Sequence, residues 1–325
     1  MTASNEVAVA LVQQPAKVLD AQETMRRGSA HIQQAAARGA ELVAFPESWV
    51  SCYPAWVFGA AGWDDPRARD WYARLLEDSP VLGVADDLDD DLAPLRAAAI
   101  DAEVTVVVGI NERAGRSSGT IFNSQIVIGP NGHLLNVHRK LTPTHTEKIV
   151  WGSGDGAGLR VVDTPIGRVG GLICWEHFHP LARQALHAQD EQIHVAAWPD
   201  MPEIHHIASR MHAFEGRCYV LAVGQYLTVH DVPDELVPLF RAGLDRGSDD
   251  SEILFDGGSG VVSPDGRWHT PPTTGRPETI ITTLTLTERE RMSHDLDVAG
   301  HYSRPDVFRL RVDRSRPSIV DFSGN

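Results

Sequence analysis

Three side chains capable of acid–base or nucleophilic chemistry each stand directly after a short apolar run. They are Glu47 in Phe45-Pro46-Glu47-Ser48, Lys140 in His138-Arg139-Lys140-Leu141, and Cys174 in Gly170–Cys174. A thiol attacks only as thiolate, so a nucleophilic cysteine needs a base and positive charge nearby. A glutamate supplies the base and passes the proton to a departing nitrogen, while a lysine steadies negative charge as it develops. Taken singly the signals are weak: a lone cysteine is more often inert packing, a lone lysine solvated, a lone glutamate a surface or capping residue. Together they specify a cysteine hydrolase whose mechanism needs neither a metal nor an organic cofactor.

Strands must deliver these residues to one place. Val7–Val12 is expected as a buried strand, with a helix from Val18 to Arg38 that stops at Gly39. Glu41–Phe45 is a second strand, closed by Pro46, so Glu47 lies just past a strand's C-terminal end, where α/β folds collect functional groups. Ser48 to Asp91 is an excursion with some helix, and its acidic run Asp86–Asp91 is expected as a solvated helix start, since a calcium loop needs another alternation of ligands. A helix to Asp101, a strand Val104–Ile110 and a hairpin follow. The hairpin joins Phe122–Ile128 to Leu134–His138 through Pro130-Asn131-Gly132, and Lys140 lies just beyond it.

The glycine-rich Gly152–Gly158 lacks dinucleotide spacing and is expected as a loop. Strands Leu159–Val162 and Val169–Ile173 then lead to Cys174. Further elements are a helix Leu181–His187, a strand Ile193–Ala197, a helix Glu203–Arg217 and a strand Tyr219–Gly224. A hairpin strand Gly260–Ser263 turns at Pro264-Asp265-Gly266, and a strand Thr279–Leu286 comes last. No internal period or low-complexity linker interrupts the chain, so residues 1–325 are expected to form one α/β domain with mixed sheets.

The 325 residues carry 44 acidic against 29 basic side chains, a net charge of −15 that argues against nucleic acid as a partner. The N-terminus has no basic region before its short apolar stretch, so a cytoplasmic location and no membrane association are expected. Cys52, Cys174 and Cys218 are widely spaced and odd in number, which suggests neither a disulfide framework nor a metal site. His177, His179, His205, His206 and His212 show no recurring ligand spacing, so scattered surface or pocket histidines are the better reading than a metal centre.

The three motifs resemble the nitrilase superfamily of carbon–nitrogen hydrolases, which uses a Glu–Lys–Cys triad. The resemblance extends through Trp151-Gly152, Gly170-Gly171-Leu172-Ile173, Ala213-Phe214-Glu215-Gly216, Gly258–Gly266 and His301-Tyr302 with Arg304–Phe308, nearly the whole chain. It implies a four-layer αββα sandwich of two mixed β-sheets, with Glu47 as general base, Lys140 as stabiliser of the tetrahedral intermediate and Cys174 as nucleophile. Glu147 matches a further acidic position beside the lysine; on sequence alone a helix cap or salt bridge serves it equally well. The resemblance further implies a homodimer or larger, spiral-forming homo-oligomer joined through helices near the cysteine, with the segment from about residue 287 contributing.

Cys174-Trp175-Glu176 followed by Pro180-Leu181 resembles the nitrilase branch rather than the amidases. His177, where many nitrilases have asparagine, resembles arylacetonitrile-cleaving and cyanide-hydrolysing members. The expected activity is therefore hydrolysis of an aryl or arylaliphatic nitrile to acid and ammonia through a thioimidate and a thioester, with the Trp175 amide N–H assisting Lys140. The alternatives are an amidase, a cyanide-hydrolysing enzyme and an inactive scaffold. Tyr53, Trp175, His177 and Trp198 are the candidate substrate contacts. For any one of the aromatics core packing competes with that role, and His177 is equally well a satisfied polar residue.

Overall fold

The computed structural model describes residues 6–83, 90–244, 252–316 and 320. The strands are β1 (Glu6–Gln13), β2 (Leu42–Ala44), β3 (Thr105–Arg113), β4 (Ile121–Ile128), β5 (Leu134–Arg139), β6 (Val162–Thr164), β7 (Gly167–Ile173), β8 (Ile193–Ala197), β9 (Tyr219–Val223), β10 (Tyr226–Thr228), β11 (Ile253–Val262), β12 (Trp268–Thr274) and β13 (Glu278–Thr285). The helices are α1 (Ala21–Ala37), α2 (Trp56–Gly59), α3 (Pro66–Asp78), α4 (Ala93–Ala102), α5 (Pro180–His187), α6 (Glu203–Gly216), α7 (Val237–Gly243) and α8 (Thr287–Met292).

One sheet runs β13-β1-β2-β3-β4-β5; the other runs β10-β11-β9-β8-β7-β6, with β12 paired to β11. Both are mixed: β1, β2 and β3 pair in parallel, as do β7, β8 and β9, and hairpins and the returning β13 add antiparallel partners. The period-two pattern of each strand sets the layers. Val7, Val9 and Leu11 of β1 meet Tyr219, Leu221 and Val223 of β9 in a core between the sheets. Their neighbours Ala10 and Val12 turn outward onto Met25 and Ile32 of α1 and Leu95 of α4. On the far side Val220 and Ala222 pack with Ala208 and Ala213 of α6. The result is the expected αββα order of layers.

Most elements lie within a few residues of expectation. The strand expected at Leu159–Val162 instead occupies Val162–Thr164, because Gly156–Gly158 forms a turn of 3-10 helix and holds the next residues against β5. The extra strands β10 and β12 and helix α7 carry no clear periodicity. Within the acidic run, residues 86–89 lie outside the described residues, and Asp90 departs from the solvated reading. Its carboxylate is buried, pairs with Arg96 at 2.6 Å and accepts from the Leu92 amide, fixing the entry to α4. Among the described residues no helix is long and apolar enough to cross a membrane.

Candidate active site

Glu47 follows β2, Lys140 follows β5 and Cys174 follows β7, and the two sheets bring the three together in the interior. Lys140 Nζ donates to Glu47 Oε1 at 2.9 Å and to Glu147 Oε2 at 2.8 Å. A carboxylate oxygen of Glu47, one of Glu147 and the Cys174 sulfur all lie within 4.8 Å of one another. Asn123 on β4 serves twice: its side chain donates to Glu47 Oε1 at 2.7 Å, and its carbonyl accepts the Lys140 amide. The other Glu47 oxygen, Oε2, is buried without a hydrogen-bond partner among the described residues, which leaves it able to accept a proton.

Backbone strain marks all three loops. Cys174 has φ +52°, Ser48 beside Glu47 has φ +41°, and His145 near Glu147 has φ +47°. Non-glycine residues rarely adopt this region, and it persists only where surrounding structure over-determines it. The Glu47 loop also depends on Gly109 of β3, where any Cβ would collide with the Pro46 carbonyl and the Ser48 amide. Gly154 has the same relation to the carbonyls of Arg139 and Lys140.

Burial pushes the Glu47 carboxyl up to about 7, with Lys140 opposing the rise and Glu147 adding to it. Burial acts against charge on Lys140 as well, but its surroundings of Cys174, Glu47 and Glu147 override it and hold the ammonium form well above its ordinary range. The Cys174 thiol is raised by burial and then by Glu47, against Lys140 and the Trp175 amide. The resting nucleophile is thus a thiol beside a carboxylate poised near neutrality, an arrangement suited to proton transfer concerted with attack.

Glu147 caps its own turn, accepting the Thr144 amide at 2.6 Å, while it grips Lys140 and accepts the Tyr53 hydroxyl at 2.7 Å. The cap and salt-bridge readings both hold, in one residue. Burial and then Glu147 raise the Tyr53 hydroxyl, so it remains a donor. The Tyr53 ring packs edge-on against Trp151 and Phe255. Trp175 is half exposed and lines a cleft of about 250 Å³ with Thr142, Pro143, His145 and His179. His177 and Trp198 sit differently from these two. Both are fully buried and stack on each other at 4.8 Å between centroids, and Trp198 also stacks on His205.

Two features of the site escaped sequence reasoning. Glu176 is a buried tie: its carboxylate accepts the Ile173 and Leu141 amides, both at 2.8 Å, and meets His138 at 2.9 Å, so it couples the cysteine loop to the lysine loop. Burial opposes its charge, but His138 and those amides hold its carboxyl below the usual range. Two of the five histidines expected to be scattered, His177 and His212, are instead brought together, whereas His179 is exposed and His206 bonds the Gly258 carbonyl. His177, His194 and His212 converge in the interior around Glu191, close enough to form a potential ligand set, with His187 beside them. The sequence signal was the interruption of the buried strand Ile193–Ala197 by His194.

A carbon-nitrogen hydrolase family model matches residues 8–293. The chain is 35% identical over 332 residues to an aliphatic nitrilase of Rhodococcus rhodochrous, covering 98% of this chain and 82% of that one. It is 34% identical over 326 residues to an arylacetonitrilase of Aspergillus kawachii (strain NBRC 4308), covering 96% and 93%. Among solved structures it resembles a carbon-nitrogen hydrolase from Helicobacter pylori G27, with a TM-score of 0.67 over 90% of this chain and 93% of that one; at 19% identity this likeness concerns the fold.

Proposed function

The chain belongs to the carbon–nitrogen hydrolase family, in its nitrilase branch, and from that premise we propose that it converts an aryl or arylaliphatic nitrile to the carboxylic acid and ammonia. The observation that carries the chemistry is a buried lysine clamped between two carboxylates beside a buried thiol. In the proposed reaction Glu47 takes the Cys174 proton as sulfur attacks the nitrile carbon, then delivers it to nitrogen to give a thioimidate. Water, giving a proton to Glu47, adds to the same carbon; the returned proton makes the nitrogen an amino group, and ammonia leaves as the added hydroxyl passes its own proton through Glu47 to that nitrogen and closes to the thioester carbonyl. A second water cleaves the resulting thioester, releasing the acid and restoring the thiol. Each addition places negative charge on nitrogen or oxygen, which Lys140 and the Trp175 amide N–H stabilise. Glu147 holds Lys140 in place.

The nitrile assignment rests on Trp175 after the nucleophile and on relatives that are named nitrilases. A ring-bearing substrate suits the half-exposed Trp175 and the Tyr53 cluster. Matched assays on phenylacetonitrile and phenylacetamide test the assignment. Acid from the nitrile supports it, and turnover of the amide alone points to an amidase.

The Glu47 carboxyl sets an expected pH dependence. With its midpoint at about 7 the group holds its own proton at lower pH and cannot accept that of the thiol, so kcat/KM rises with pH through an inflection near that value. A profile flat between about pH 5 and 8 contradicts the role.

We propose that like copies assemble through an uncovered apolar face. Ile204, Ile207, Met211 and Phe214, at helical spacing on α6, are 41–50% exposed, and Leu181 of α5, a helix that contacts α6, is exposed too. A second copy of the chain is the proposed occupant, because an isologous contact covers the same stripe on both partners. Light scattering reads this directly, and a monomer at micromolar concentration would contradict it.

A further inference from the structure

Behind the nucleophile a buried chain of side chains ends on the carbonyl of Cys174 itself. His177 Nδ1 lies 2.7 Å from that carbonyl oxygen, and His177 Nε2 lies 2.9 Å from His194 Nε2. His194 Nδ1 is 2.7 Å from Glu191 Oε1, and Glu191 Oε2 is 3.1 Å from His212 Nε2. All four residues are essentially inaccessible to water. Gly170 of β7 leaves the space that the Glu191 carboxylate occupies.

The partners fix the protons. A carbonyl only accepts, so His177 Nδ1 carries hydrogen. Burial and then the neighbouring His194 hold the His177 pKa well below its ordinary value, so the ring is neutral and its Nε2 bare. His194 Nε2 must then donate. Burial opposes charge on Glu191, but His194 and His212 override it and keep the group a carboxylate, so His194 Nδ1 donates too. His194 is therefore an imidazolium paired with Glu191. The other ionisable groups facing this pair are His212 of α6, His187 of α5 with Glu215 3.8 Å from its Nε2, and Cys218 at the end of α6. His212 is held neutral by burial, and Glu215 is paired to Arg183 at 2.7 Å.

We propose that Glu191, His194 and His177 are positioning residues that hold the strained Cys174 turn and polarise the Cys174–Trp175 peptide. A hydrogen bond to an amide carbonyl strengthens the donor at the other end of the same peptide. Here that donor is the Trp175 N–H, which faces the Cys174 sulfur and, on the proposed reaction, the charge developing on nitrogen or oxygen. The cation on His194 acts through His177 and never meets the substrate. The proposal rests on the nitrilase reading only for its effect on turnover, since its effect on the thiol is independent of substrate.

The test uses the full chain and two kinds of readout. In the wild-type enzyme, nitrogen NMR of the histidine side chains should show a scalar coupling across an N–H···N bond joining two rings, one of which carries hydrogen on both nitrogens. In the variants Glu191→Gln and His177→Phe, the latter keeping a ring against Trp198, kcat should fall at least about tenfold with KM little changed, less than the ~10²–10³-fold loss of a direct donor. The pH midpoint for alkylation of Cys174 by iodoacetamide should rise in both. Absence of the coupled imidazolium, or folded variants whose alkylation midpoint is unmoved, overturns the proposal. So does stoichiometric metal on these rings by elemental analysis. Alkylation shifts without nitrile turnover in any form would leave the relay standing and sink the nitrilase reading instead.

Discussion

Cys174→Ala is expected to reduce nitrile turnover by ~10⁴–10⁶-fold while leaving the fold intact, as loss of a covalent nucleophile does in other hydrolases. The change removes one buried sulfur from a small cluster with Ile173, Ala196 and Trp198, at a cost of at most about 1 kcal/mol. Alanine meets the same left-handed backbone penalty as cysteine, so the turn has no new reason to relax. Residual activity within about tenfold of wild type would show that another group attacks the substrate. Thermal unfolding of the variant separates chemical loss from structural loss, since a midpoint near that of the wild type leaves only the former.

Lys140→Ala should have the second-largest effect, and a different one. Its ammonium is wholly buried and paired with both Glu47 and Glu147, so removal leaves two carboxyl groups facing each other away from water with no cation between them. Breaking a buried ion cluster in this way costs about 3–5 kcal/mol of stability. The two acids relieve the repulsion by retaining a proton, which raises the Glu47 midpoint further from its present value of about 7. Turnover should therefore drop by ~10³-fold or more, and what survives should need higher pH. Lys140→Gln, which keeps a donor but not the charge, should recover stability more than rate. A rate for either variant within about threefold of wild type, measured on folded protein, would remove Lys140 from the mechanism.

The positions of Glu47, Lys140 and Cys174 were legible because each ends a short apolar strand, and period-two burial then carries all three to the seam between two sheets. Hairpin and crossover signals likewise exposed most of the strand order; Asn131-Gly132, for example, announces the β4–β5 turn with Gly132 at φ +78°. What stayed hidden was side-chain partnership across distant segments. Glu176 reaches Leu141, 35 residues away, and Gln125 reaches the Val195 carbonyl, 70 residues away, and no local pattern encodes such pairs. The histidine cluster was illegible for the same reason. His177, His194 and His212 sit on a turn, a strand and a helix, with no ligand-like spacing in sequence. Asn123 and His194 did leave a trace, as polar residues interrupting buried apolar strands, where an unpartnered group would be costly.

The central claim is that Cys174 attacks the nitrile carbon and carries the acyl group until water releases it. Acid-quenched mixtures of enzyme and phenylacetonitrile, digested and mapped by mass spectrometry during the first turnover, test it directly. The account predicts a phenylacetyl-derived thioimidate or thioester confined to the peptide bearing Cys174, with none on Cys52 or Cys218, both of them buried free thiols. Acid formed with no adduct on Cys174, or an adduct on another residue that accumulates and decays at the rate of turnover, would contradict it.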